Sequence, residues 1–320
     1  MSNERPARVS VVTPFYNTAE YLEQCIESVL AQAYGDFEYI LLDNQSTDGS
    51  SEIAARFADR DSRIRFLQSD TFVAQLPNYN RALTRISPES RYVKIVQADD
   101  WIYPNCLSLM VGVAEEKPRV GIVSSYRLKG TKLDGDGLPP DREIFSGREL
   151  CRIQLLDWKF FFGSPTTVMF RADVVRSRTP FFTETSRHAD TEACYEILKD
   201  WDFGFVHQVL TYSRVREGSI LKGLEALDPL HLLDKLIVLE KYGAAFLSDD
   251  EFETLRKEVH KRYYGFLGRQ VFRFRGADFW SGHRTWLASV NLKLQRIRLL
   301  NHALKEALVA LLPSHLHPSH

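Results

Sequence analysis

Residues 92–104 read YVKIVQADDWIYP, and the fold turns on that stretch. Tyr92–Val96 is a short, mostly apolar, β-branched run, as a strand buried on both faces requires. It delivers Asp99 and Asp100 at its carboxyl end, and Pro104 then suits the first turn of a helix running to about Lys117. The same strand-then-helix unit recurs towards the N-terminus. Val9–Thr13 is a strand that ends in TPFYN, and Thr18 is placed to cap a helix whose Leu22, Ile26, Val29 and Leu30 recur at helical spacing. Phe37–Leu42 ends in DNQSTDG, and Asp48 is placed to cap the next helix. Ile64–Leu67 is a third strand, Pro77 opens a helix through Tyr79 and Leu83, and Val120–Ser124 is a fifth strand. This alternation predicts an α/β fold with an open, mostly parallel sheet flanked by helices.

Towards the C-terminus the pattern loosens. Residues 125–145 are rich in Gly, Pro and Asp and read as a loop excursion. Helices are expected near 147–157 and 188–199, and one or two strands over 203–214. From about 227 onward only helical patterns remain. Between Arg256 and Lys305 there are twelve Lys or Arg and two Asp or Glu. Leu287, Val290, Leu294, Ile297, Leu304, Leu308 and Leu311 form a heptad-like apolar stripe, with Asn301 filling the one gap. Three uses for that stripe stay open: packing on the α/β part, a homodimer, or peripheral contact with an anionic membrane.

Composition narrows the function. The 320 residues carry 44% hydrophobic and 26% charged side chains, as an ordinary globular protein does. A formal net charge of −1 argues against an electrostatic nucleic-acid partner. The four cysteines (Cys25, Cys106, Cys151, Cys194) are scattered and read as reduced, buried thiols rather than a zinc site or disulfide framework. No apolar run is long enough to span a bilayer, so a cytoplasmic location is expected.

In an open parallel sheet, ligands bind beyond the carboxyl ends of the strands. Three polar clusters converge there: Thr13–Asn17, Asp43–Gly49 and Asp99-Asp100. Two adjacent carboxylates repel and call for a cation or several donors, and Mg²⁺ uses such a pair together with substrate phosphates. A helix cap ahead of Pro104 is the competing reading. The turn TPFYNTAEY holds no glycine, which excludes a dinucleotide-binding G-x-G-x-x-G; no P-loop is present either. A sugar nucleotidyltransferase would also carry a glycine-rich, basic loop at that turn.

VSVVTPFYN, LLDNQSTDGS and VQADDWIYP, in this order and at these separations, resemble family 2 of the glycosyltransferases over about residues 8–220. The resemblance implies a GT-A fold over 1–222, with a nucleotide-binding half over about 8–124 and an acceptor half over 125–222, followed by a helical region over 223–320. It implies an inverting glycosyltransferase that uses a nucleotide-sugar donor, a UDP-sugar before others, with Mg²⁺ or Mn²⁺. The acceptor would be a glycan or lipid-linked molecule in cell-surface polysaccharide synthesis.

Residue by residue, Pro14 and Tyr16 fall where the family packs and hydrogen-bonds the nucleoside, and Asp43 where it accepts from the base. Asn80 matches a donor-binding stretch in which Tyr79 stands where a basic residue is usual. Asp100 falls at the metal position and Asp99 beside it, at the ribose or a metal-bound water. Gln97 stands where a further carboxylate is common. Asp190 falls at the general base, with Ala189 in place of the usual Glu and Glu192 as the alternative; both carboxylates also suit the first turn of a helix. Arg216 stands at a histidine position and would bind a diphosphate oxygen as a fixed cation. The departures at Gln97, Ala189 and Arg216 keep open a catalytically silent protein that binds a sugar nucleotide or serves as a scaffold.

Overall fold

The computed structural model describes residues 8–215, 227–228, 231–273 and 275–311. The chain divides into two compact units, Met1–Val215 and Arg216–His320.

In the first unit the strands are β1 (Val9–Phe15), β2 (Phe37–Asp43), β3 (Ile64–Gln68), β4 (Tyr92–Ile95), β5 (Trp101–Ile102), β6 (Val120–Lys129), β7 (Lys132–Asp134), β8 (Ile144–Phe145), β9 (Met169–Arg171) and β10 (Asp202–Ser213). The helices are α1 (Ala19–Leu30), α2 (Ser50–Ala58), α3 (Gln75–Leu83), α4 (Cys106–Glu116), α5 (Gly147–Asp157), α6 (Ala172–Arg176) and α7 (Ala189–Ile197). One sheet runs β3-β2-β1-β4-β9-β6-β10-β5, with β7 on β6 and β8 on β10. Strands β3, β2, β1 and β4 are parallel, β9 is antiparallel to both β4 and β6, and β6 and β10 are parallel.

Every residue of β1 and β2 is buried, which is why both read as continuous apolar runs. Val9, Val11 and Phe15 of β1 and Tyr39 and Leu41 of β2 share a core with Leu22, Cys25, Ile26 and Val29 of α1 and Cys106, Leu107 and Met110 of α4. Each such side chain removed from water contributes about 1.5–3 kcal/mol. Pro14 sits inside β1 at no cost to the ladder. Val12 accepts from Val96 N–H on the β4 side. Pro14, two residues on, faces the same way, beyond the last residue of β4 paired with β1. All four cysteines are buried free thiols, as expected.

Four expectations need correction. Thr18 precedes α1, yet its side chain makes no cap; the Ala19 N–H is taken by Asp48 Oδ2 at 3.0 Å instead. The same carboxylate accepts from Ser50 N at 3.1 Å, so one side chain serves the first turns of α1 and α2. Helix α3 begins at Gln75, two residues before Pro77. Residues 125–145 are not a loop alone: β6 continues to Lys129 and turns back as β7, and β8 pairs with β10.

The second unit holds α8 (Leu232–Phe246), α9 (Asp249–Val271), α10 (Ala277–Ala288) and α11 (Arg296–Leu311). Asp228, fully buried, caps α8 by accepting from Leu232 N and Leu233 N. A full capping box of Ser248 and Glu251 starts α9. The fourth correction falls here, because the apolar stripe is not continuous. It divides between α10 and α11, where the chain turns at Asn291 with φ +58° and Leu292 N–H bonds back to Leu287. Leu287 is buried, whereas Ile297, Leu304 and Leu308 are exposed.

Candidate functional site

The loops that follow β1 and β2 lock together. Asn17 N–H donates to Ser46 Oγ, Asn17 Oδ1 accepts from Thr47 N, and Thr18 N–H donates to Ser50 Oγ. Asp43, at the end of β2, is buried; its carboxylate accepts from Ser46 N at 2.9 Å and from the Ser51 hydroxyl. Tyr16 projects from the end of β1, 44% exposed, against the 55%-exposed Phe72, with ring centroids 4.8 Å apart. Asn44 bonds both the N–H and the C=O of Val73 and so holds the loop that carries Phe72.

Asp100 is the most constrained member. It is 4% exposed. Its Oδ2 accepts from Thr166 Oγ1 at 2.6 Å and Ser213 Oγ at 3.3 Å, and its Oδ1 from Arg214 N at 3.0 Å. Burial, and then the neighbouring Asp99 charge, push its carboxyl up to about 6 despite these donors. The half-buried Asp99 stands next to it, and its main-chain oxygen accepts from Arg214 Nε at 3.0 Å. Neither residue caps the following helix, whose cap position is Asn105.

Thr166 links these parts. Besides donating to Asp100 it accepts from Gln97 N at 3.0 Å, and its own carbonyl accepts from the fully buried Lys94 Nζ at 2.5 Å. The loop before it depends on Gly163, with φ +70°, where a Cβ would lie 2.5 Å from the Thr167 hydroxyl.

Tyr79 on α3 is buried and lies within the electrostatic reach of the carboxylates. Its hydroxyl bonds the Gln97 side chain; burial, then the charges of Asp99, Asp100 and Asp190, push it well above the ordinary tyrosine value in spite of that bond. Tyr79 and Gln97 are two of the positions that depart from the family resemblance, one losing a cation and the other a carboxylate, and here they bond each other. Asp190 lies in the first turn of α7, half-buried, with Oδ1 accepting from Thr191 N. Glu192, two residues further on, is buried.

The amide of Asn80 is spent within the chain: Oδ1 accepts from Phe182 N, and Nδ2 donates to Phe182 O and Glu184 Oε1. It ties α3 to the segment that leads into α7. Arg216 lies outside the described residues. Its neighbour Arg214, which the sequence did not single out, packs into the site. The Arg214 guanidinium packs over Tyr21 and Trp101, 4.6 and 5.3 Å from the ring centroids, and donates to Gln24 Oε1 at 2.7 Å. Trp101 in turn stacks on Tyr212 at 3.6 Å, an internal contact rather than an open sugar platform. A separate cleft of about 430 Å³ opens beside Leu42, Leu67, Asp70, Arg81 and Arg85 and includes none of the predicted site residues.

Among the described residues no three His, Cys, Asp or Glu side chains converge as a protein-only metal cage. The donor set still fits a divalent ion of the hard-oxygen kind, which takes one or two carboxylates and completes its shell from phosphates and water. Asp100 carries a buried negative charge that its hydrogen bonds do not fully compensate, as its raised carboxyl value records.

The parallel half-sheet, the antiparallel β9 insertion and the acidic pair at the β4 edge define a GT-A glycosyltransferase architecture. Residues 10–179, more than half of the chain, match the profile of Glycosyl transferase family 2, and the chain belongs to that family. It is 29% identical over 226 residues to glycosyltransferase GlyG of Streptococcus pneumoniae serotype 4 (strain TIGR4), covering 67% of this chain and 73% of that one. In structure it resembles S. aureus TarS 1-349 in complex with UDP, with TM-score 0.61 and 18% identity, over 97% of this chain and 85% of that one. It also resembles the mannosyltransferase PcManGT of Pyrobaculum calidifontis in complex with GDP-Man and Mn²⁺, with TM-score 0.57 and 17% identity, over 96% and 81% of the two chains.

Proposed function

We propose that this chain is an inverting glycosyltransferase that moves a sugar from a nucleoside-diphosphate sugar, a UDP-sugar before others, to a glycan or lipid-linked acceptor in polysaccharide synthesis on the cytoplasmic side of the membrane. One observation carries the reading: beyond β4 the buried Asp100 carboxylate is held in place by Thr166 Oγ1, Ser213 Oγ and Arg214 N, with Asp99 beside it. The UDP complex of the TarS neighbour supports the choice of nucleotide.

In this reading Tyr16 stacks on the base, Pro14 shapes the strand end beneath it, and Asp43 holds the loop that meets it. Asn80 acts through the 182–184 segment it clamps. Asp99 meets the ribose. Asp100, with Asp99 beside it, would hold Mg²⁺ or Mn²⁺; when bound, that cation neutralises the departing diphosphate. Arg216 serves as a second cation for the diphosphate. Asp190 takes the proton from the attacking acceptor hydroxyl, a service typically of about 10² to 10⁴-fold. The nucleotide-binding half spans about 8–124 and the acceptor half 125–222. The losses at Tyr79 and Gln97, a cation and a carboxylate, offset each other in charge, and the retention of Asp99, Asp100 and Asp190 favours an active enzyme over a silent one.

Calorimetric titration with UDP, GDP and TDP, each with and without Mn²⁺, tests the reading. Metal-dependent binding of one nucleotide, abolished in Asp100→Ala, is the expected result. Failure to bind any of the three would leave the scaffold as the better account.

A further inference from the structure

Helix α11 presents four large apolar side chains to solvent: Ile297, Leu300, Leu304 and Leu308, exposed by 77%, 58%, 62% and 64%. At 3.6 residues per turn they fall within an arc of about 80°. The opposite face is already occupied. Ala303 is buried, a Cβ on Gly268 of α9 would lie 3.0 Å from the α11 backbone, and Glu306 pairs with Arg269 at 2.9 Å. The stripe is therefore an outer face rather than a core face.

Cations flank it on both sides. Arg298 and Lys305 lie roughly 80–100° round the helix on one side and Arg296 about 100° round on the other, and all three are exposed. Lys293 is exposed just ahead of the helix. Glu306 is the one acidic residue of α11, and it sits on the inner face.

These charges select the occupant. Seating the stripe on a second copy would set like cations against each other across the seam, with no acidic flank to pair them. An anionic lipid surface supplies counter-charge on both sides at once. We infer that α11 lies in the interface of an anionic phospholipid membrane, with its apolar stripe among the acyl chains and Arg296, Arg298 and Lys305 at the headgroup phosphates. The inference rests on α11 alone and stands whether or not the donor reading is right.

Sedimentation of the full chain with vesicles tests it. Vesicles of equal parts phosphatidylcholine and phosphatidylglycerol should bind at least tenfold more tightly than phosphatidylcholine alone, with the gain lost at about 0.5 M salt. Leu304→Gln with Leu308→Gln should lower that binding at least tenfold without changing the melting temperature, and Arg298→Gln with Lys305→Gln should remove the preference for the anionic lipid. No vesicle binding, or equal binding by the leucine variant, would overturn the inference. So would a concentration-dependent dimer that the leucine variant dissolves, since the stripe would then belong to a second copy.

Discussion

Thr166 Oγ1 donates to Asp100 Oδ2 at 2.6 Å across 66 residues of sequence, and this bond joins the loop before β9 to the acidic pair beyond β4. The threonine hydroxyl satisfies the carboxylate and the Gln97 N–H together. Thr166→Val should therefore cost about 1–3 kcal/mol of stability, because it leaves buried polar groups unpaired. Thr166→Ser should restore most of it. Urea denaturation of the three proteins checks this, and the valine variant should also bind nucleotide more weakly in the presence of Mn²⁺.

The raised carboxyl of Asp100 gives a signed pH dependence. Well below 3.8 it is protonated both folded and unfolded. Between the ordinary value of 3.8 and about 6, the unfolded chain has released the proton while the folded chain still holds it. Stability of the metal-free protein thus falls as pH rises through that window, by about 3 kcal/mol at most, and levels off above it. Mn²⁺ needs the ionised carboxylate, so nucleotide–metal affinity should rise over the same interval. Asp100→Asn should flatten both trends relative to the native protein, measured by denaturation and calorimetry from pH 4 to 7.5.

Tyr79 and Gln97 should be energetically coupled. Gln97→Asp alone adds a third carboxylate to a site already raised by Asp99 and Asp100, and should destabilise the fold and weaken nucleotide binding. Pairing it with Tyr79→Arg should recover part of the loss, with a coupling energy of about 0.5–3 kcal/mol in a double-mutant cycle. Strict additivity would show that the contact carries no function.

Asp190→Asn should lower turnover by about 10² to 10⁴-fold and leave nucleotide affinity within a factor of about three. Single-turnover kinetics beside calorimetry separate the two effects. If Glu192→Gln gives that result instead, the proton acceptor is the buried carboxylate two residues further along α7.

Lys94→Met should destabilise the first unit by about 1–3 kcal/mol. Lys94 Nζ donates to the carbonyls of Thr166 and Val168, and both would lose that donor. Because Thr166 positions Asp100, the variant should weaken Mn²⁺-dependent binding more than binding of the nucleotide alone.

Strands β1, β2, β3, β4, β6 and β10, most helix starts and the placing of TPFYN, DNQSTDG and Asp99-Asp100 at strand ends were legible in the sequence, whereas the short β5, β7, β8 and β9 were not. Hydrophobic periodicity and strand-end chemistry are local signals, carried by residues a few positions apart. The cap of α1 was misread because Asp48 reaches it from another loop, and a local rule sees only Thr18. The C-terminal stripe was misread because spacing counts residues without sensing the left-handed turn at Asn291 that ends its continuity.

The sequence by itself determined the α/β alternation, the acidic pair at a strand end and the absence of a glycine phosphate cradle. Tertiary structure alone decided that Thr166 and Ser213 grip Asp100, that Arg214 lies on Asp99, and that Tyr79 meets Gln97 within the field of Asp190. Those partners come from β-strands and loops ordered 1-4-9-6-10 across the sheet. Strand order is a property of long-range packing, and no spacing along the chain encodes it.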